Sequence, residues 1–217
     1  MSIGDARDSE RPWIVAMLLI TTAMGMLDAI SLLHLGTFTG YVTGTVILIG
    51  VTLAQGAALA APPLVALGAL LVGALAGGRL VRRGRSRHRL VADLLGAVAV
   101  LIGLAAALDG LAPPETRLGL VALLAFAMGL QTSATRHAAI PDMTMPAATM
   151  VLHGLAHDSR LAGGGGQRSW RRTGVLAGLL VGAAAGTALS AWHVWAGLLA
   201  TASVVMAAAL VLRLRDG

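Results

Sequence analysis

Long apolar runs fill most of this 217-residue chain, at roughly 13–35, 41–58, 62–82, 90–109, 118–136, 143–157, 173–190 and 192–213. A soluble core of this size cannot bury them, since 57% of the residues are hydrophobic and only 12% charged, for a mean hydropathy of +0.81. The chain reads as an integral membrane protein. Lipid supplies no hydrogen bonds to the main chain, so only helices and closed barrels cross it, and continuous runs rather than ten-residue alternations select helices. The expected fold class is all-α, a polytopic helical membrane bundle, with residues 1–217 as a single membrane domain.

Arginine decides how many runs cross. All sixteen basic residues are Arg, set against ten acids for a formal charge of +6. In a soluble protein that balance would raise the question of nucleic acid. Here the arginines lie between apolar runs, where anionic lipid accounts for them, so the lipid bilayer is the expected partner and no nucleic acid is. A crossing takes about 20 residues. The run at 143–157 is short and carries Pro146 and His153, while 41–58 is interrupted by Gly44, Gly50 and Gly56. If every run crosses, nine arginines lie on the side of the N-terminus and seven on the other. If those two runs turn back instead, fifteen lie inside and only Arg117 outside. The positive-inside rule selects six crossings plus two interrupted or re-entrant segments, with both termini cytoplasmic. This topology sets Trp13 and Trp170 at the inner membrane edge and Trp192 and Trp195 at the outer one. No cleavable signal precedes the first run, and the lack of cysteine excludes disulfides and thiolate metal sites.

One stretch is used twice. Residues 23–50, AMGMLDAISLLHLGTFTGYVTGTVILIG, return in altered form at 127–154 as AMGLQTSATRHAAIPDMTMPAATMVLHG. Ala23, Met24, Gly25, Thr45, Leu48 and Gly50 recur at an offset of 104, and the LLVGA of 70–74 recurs at 179–183 at an offset of 109. A first repeat at 13–109 and a second at 118–213 then carry three crossings each. An odd number turns the second copy over, so two inverted-topology repeats are expected. Gly73 and Gly77, with Gly174, Gly178, Gly182 and Gly186, are spaced four apart on helix faces, as packing seams require; a homo-oligomer through these Gly-rich faces is the functional alternative.

The polar residues gather where the helices break. Backbone that leaves helical form inside a bilayer is tolerated only when buried in protein or lining a cavity, and many secondary transporters bind solute where two interrupted segments meet. GTFTGYVTG at 36–44 marks one break and Ile140-Pro141-Asp142 the other, because Pro disfavours helix at the residue before it. Asp28 stands about 15 residues into the first run, deeper than the headgroups, where an isolated charge is costly. It reads either as a proton or cation relay or as a structural carboxylate that caps the break or pairs with Arg136. The expected solute or ion pathway comprises Gly25, Asp28, Thr43, Gly44 and Thr45 from the first copy and Gln131, Thr132, Arg136, Pro141 and Asp142 from the second.

Other motifs carry less. His153 and His157 are four apart and could bind a metal with Asp158, but further ligands are not evident, so no metal site is expected. The glycines at 163–166 lack the ending of a phosphate-binding loop and read as a linker. No protease, hydrolase or paired-aspartate signature is present, which leaves no catalytic residue, no cofactor and no enzyme activity to expect.

At these same residues the chain resembles the YoaK-like family of bacterial multi-pass membrane proteins, a domain of unknown function. GMLDAISLLHLGTFTGYVTGTVILIG at 25–50 is similar to the family's Gly-Tyr-x-Asp-Ala and Met-Thr-Gly-Asn blocks. GLQTSATRHAAIPDMTMPAATMVLHGLAHDSRLAGG at 129–164 is similar to its Gly-x-Gln-Asn-Ala, Val-Pro-Asp and Thr-Gly-Leu blocks. Asp28, Thr43, Gly44, Gln131, Pro141 and Asp142 fall on family positions, whereas Thr45 and Thr132 stand where the family has Asn. The resemblance implies a membrane bundle and brings no established activity. The expected function is a small transporter or channel for an unidentified solute or ion; the alternative is a non-transporting membrane scaffold or regulator.

Overall fold

The computed structural model describes residues 3–56, 60–83, 86–111, 116–140, 143, 148–165 and 169–214, with side chains from Glu10 onward. Its helices are α1 (Ile3–Leu35), α2 (Val42–Gln55), α3 (Ala61–Val81), α4 (Arg87–Leu111), α5 (Arg117–Ala138), α6 (Ala148–His157), α7 (Ser169–Ser190) and α8 (Val194–Arg213), with a 3-10 turn at Arg160–Ala162. No strand occurs among the described residues. The protein is a polytopic helical membrane bundle.

Six helices, α1, α3, α4, α5, α7 and α8, are long and apolar enough to cross a bilayer. The two that are not are those the arginine pattern singles out. At about 1.5 Å per residue, α2 spans about 21 Å and α6 about 15 Å, against a hydrocarbon core of about 30 Å. Local signals set the boundaries. Gly36, at φ 71, ends α1 in the left-handed region, which a residue without Cβ enters freely. Pro62 and Pro63 open α3, where a missing N–H leaves no helical bond unmade.

The main pairings run between the halves of the sequence. Helix α1 lies along α7, α3 along α5, and α4 against α8. Glycines make the first two pairings close. A methyl group on Gly25 would lie 2.2 Å from the Leu179 carbonyl oxygen, and one on Gly129 would lie 2.2 Å from that of Leu70. Likewise Gly182 meets the Thr22 oxygen at 2.0 Å, and Gly73 that of Phe126 at 2.1 Å. These contacts map onto one another by the offsets of the sequence repeat. Main chain against main chain gives dispersion contact where lipid gives no hydrophobic drive. The glycine faces read as seams, or as an oligomer interface, are thus engaged within the chain. The outward faces of α3 and α7, with Leu71, Val72, Leu75, Leu180 and Val181, are apolar and exposed, as contact with lipid requires.

Contacts at one end fix the helix directions. Arg171 at the start of α7 donates to Glu10 of α1 at 2.5 Å, Trp13 of α1 packs on His88 of α4 with ring centroids 4.5 Å apart, and Arg213 at the end of α8 bonds to Asp93 of α4. The starts of α1, α4 and α7 therefore share an end with the finish of α8. Residues 18, 22 and 26 of α1 meet glycines 174 to 186 of α7 in ascending order, so those two are parallel, as are α3 and α5 by the same criterion. It follows that α5 runs opposite to α1, α7 opposite to α3, and α8 opposite to α4. Trp13 departs from expectation. At 4% exposure it is buried beneath His88 and Arg87, whose guanidinium lies 4.8 Å from the ring centroid, so it joins helices rather than facing headgroups.

Candidate functional site

Between α1 and α2 the chain leaves helical form from Gly36 to Tyr41. The exposed main-chain groups of that break need partners, and nearby side chains provide them. Asp28, on the last turns of α1 and 8% exposed, accepts the Gly40 N–H at 2.8 Å and the Thr39 N–H at 3.2 Å, both on Oδ1. Thr45 Oγ donates to the Phe38 carbonyl at 3.0 Å and contacts that of Tyr41 at 3.1 Å. Thr39 Oγ donates to Ser31 Oγ at 3.3 Å. A carboxylate facing N–H groups just ahead of α2 also meets the positive end of that helix's dipole. Glycine at 40 makes the approach possible. A methyl group there would come within 2.6 Å of Met128 Cε and 3.3 Å of Asp28 Oδ2.

Above this anchor lies a cavity of about 340 Å³. Met24, Gly25 and Asp28 of α1 form one wall, the Phe38 and Tyr41 rings of the break another, and Leu179 and Ala183 of α7 a third. Ala148, the first residue of α6, also lines it. The two aromatic rings stand edge to face with centroids 5.3 Å apart. Among the described residues that line it, Asp28 is the only ionisable side chain apart from the Tyr41 hydroxyl, and the rest are apolar.

The remaining expected site residues divide. Gly25 lines the cavity and seats α1 on α7. Thr43, Gly44 and Thr45 belong to α2 rather than to the break, which closes at Tyr41. Thr43 is exposed, and Gly44 is small because a methyl group there would lie 2.4 Å from the Tyr41 ring and 2.7 Å from that of Phe38. Thr132, the repeat's counterpart of Asp28, bonds back to the Met128 carbonyl of its own helix at 2.8 Å. Gln131 is 1% exposed, and its Nε2 has no hydrogen-bond partner. Pro141 and Asp142 lie outside the described residues.

Arg136 is not the counter-charge of Asp28. It is exposed, and Asp28 is held by main-chain N–H groups instead. The reason is direction: α1 and α5 run opposite ways, so residues beyond their matched glycines move apart. Arg136 lies two turns past Met128, about 12 Å along the helix.

A second cluster surrounds α6. Arg172 of α7 donates to the Gly154 carbonyl at 2.7 Å and to Asp158 Oδ2 at 2.6 Å, while His157 Nδ1 lies 3.2 Å from Asp158 Oδ1. The bond from Arg172, then that with His157, holds the Asp158 carboxyl below its ordinary range. His153 and His157 stack with centroids 5.4 Å apart, and no group of three or more His, Asp or Glu among the described residues is arranged to hold a metal ion. This cluster gave a sequence signal only in part: the acid and histidines are adjacent, but Arg172 lies on another helix.

A family sequence model spans residues 16–212, from the first crossing to the last, and takes in both breaks. The chain belongs to the DUF1275 family. That family is described as proteins of unknown function, which agrees with the YoaK-like resemblance of the two repeated blocks. Within the DUF1275 region lie Asp28, its N–H partners and every residue lining the cavity. No curated protein and no solved structure matches the chain.

Proposed function

We propose that this protein is a small transporter or channel of the bacterial inner membrane, with both termini in the cytoplasm and its solute or ion site at the Asp28 cavity. The observation that carries the reading is that cavity: it reaches a buried carboxylate at a non-helical break and is bounded by α2's approach on one side and the start of α6 on the other. An ionisable group held inside a membrane bundle is costly unless it has a task or a full set of partners. On this reading the protein is not an enzyme.

We further propose that residues 13–109 and 118–213 are inverted-topology repeats. Support comes from the opposed directions of α1 and α5, α3 and α7, α4 and α8, and from the exchange of glycine contacts by the sequence offsets. The protein contains no cysteine. Single cysteines at Ser86 and Ser169, both exposed, should label from the cytoplasmic side alone, and labelling of either from outside overturns the topology.

A non-transporting scaffold is the second reading. It is favoured by the two hydrogen bonds that employ Asp28 as a clamp on the break. Flux in proteoliposomes, screened over cations, anions and small metabolites, separates the two. Transport requires Asp28→Asn to insert and fold while losing flux; a folded variant with flux equal to wild type across the screen leaves the scaffold.

A further inference from the structure

The lining of the Asp28 cavity is selective in its chemistry. Its carboxylate is buried, and no basic side chain shares the lining among the described residues. The main-chain N–H groups that bond to it are neutral dipoles, so they steady the charge without cancelling it. An anion meets only repulsion there. A bare metal ion needs several oxygen ligands, and the lining offers one carboxylate among apolar groups. A neutral polar solute leaves the negative charge uncompensated in surroundings of low dielectric.

What remains is a positive charge on an apolar body. Phe38 and Tyr41 present aromatic surface in the same cavity, and ring faces attract ammonium groups that lack strong hydration. Met24, Leu32 and Leu179 supply contact for alkyl or aryl substituents. The volume, about 340 Å³, lies at the small end of ligand pockets, which run from about 300 to 1,000 Å³.

We propose that the Asp28 cavity binds a small organic cation, a tertiary or quaternary ammonium with apolar substituents. The inference rests on the transport reading for its biological sense, but the site is testable without it. At the position matched to Asp28 in the second half stands Thr132, whose hydroxyl is engaged by its own helix.

The experiment is equilibrium binding of benzyltrimethylammonium to the full-length protein purified in detergent, with benzyl alcohol as the neutral aromatic control. Saturable binding of the cation is expected, with benzyl alcohol at least about tenfold weaker. Asp28→Asn, which keeps an oxygen acceptor for the Gly40 N–H, should weaken the cation at least about tenfold and leave benzyl alcohol unchanged. Leu32→Trp fills the cavity from a partly exposed wall without touching the Asp28 bonds and should abolish binding of both; it decides the matter where the Asn variant fails to fold. Equal binding of the two compounds, undiminished binding to folded Asp28→Asn, or undiminished binding to Leu32→Trp overturns the proposal. Failures of the two readings are distinct. Cation binding without flux into liposomes removes transport and leaves the site, whereas flux of a neutral or anionic solute with no cation binding removes the site and leaves transport.

Discussion

The two short helices α2 and α6 occupy matching places in the sequence repeat, yet they are held by opposite kinds of bond. The approach to α2 is fixed inside the bundle, by a carboxylate on α1 that reaches 11 and 12 residues ahead to two main-chain N–H groups. Helix α6 is fixed at the rim, by Arg172 gripping its last turn and the half-exposed Asp158 just beyond it. A buried, charge-assisted bond is strong because water cannot replace it, whereas an exposed ion pair competes with water and salt. The approach to α2 is thereby part of the core, whereas α6 is fastened to its rim. Since Ala148 at the start of α6 lines the Asp28 cavity, the more weakly held segment borders the more strongly held site.

The comparison breaks most severely at Asp28. Asp28→Ala strands two buried N–H groups and should cost about 3–5 kcal/mol, each orphaned donor counting for about 1–3. Its counterpart Thr132→Val should cost less than about 1 kcal/mol, since only a bond back to its own helix is lost. Thermal unfolding in detergent measures both, and comparable losses would mean that the two halves share their polar chemistry after all.

Glycine tests what the halves do share. Gly25→Ala and Gly129→Ala each force a methyl group against a carbonyl oxygen that is main chain and cannot rotate away. Each should lose about 2–3 kcal/mol. Gly68→Ala meets nothing within 4 Å and should gain up to about 1 kcal/mol from helix propensity. A large loss in only one of the matched pair would show that the seams are not equivalent.

The smallest effect lies at α6. The folded Asp158 carboxyl titrates below its ordinary value of 3.8, so its contribution is complete above that value and is lost as pH falls through the depressed one. Arg172→Gln should return the Asp158 titration toward 3.8, read by carboxyl carbon NMR, with little change in unfolding temperature. An unmoved titration would mean that Arg172 does not govern Asp158.

Much of this arrangement is written in residue type, because a bilayer constrains composition severely. The six crossings follow from run length and arginine, and the seams from glycines four apart. The depth of Asp28 also follows from counting along α1. Its partners do not. Arg136 advertises a charge, while the groups that bond to Asp28 are N–H groups that nearly every residue owns, so nothing in the letters at 39 and 40 distinguishes them except the glycine that permits close approach. Trp13 misleads similarly: a tryptophan near a membrane edge suggests lipid, and only the fold brings His88 over it. The cavity was legible at Gly25 and Asp28 but not at Leu179 or Ala183, which reach it from a helix about 150 residues away and read there only as apolar repeat.

The pairing of α1 with α7 also bears on how the protein is made. Helix α1 leaves the ribosome first and its closest partner second to last, so at about 5–20 residues per second the wait is on the order of 10–30 s. Through that interval its glycine face has only lipid, or the insertion machinery, for company, while Asp28 finds the Thr39 and Gly40 N–H groups a few residues behind it on the growing chain. Helices α3 and α5 have a shorter wait, with only α4 made between them. Biogenesis therefore starts in the middle of the sequence and ends by closing over its beginning, and a nascent chain halted before Ser169 holds a first helix whose glycine face has nowhere to dock.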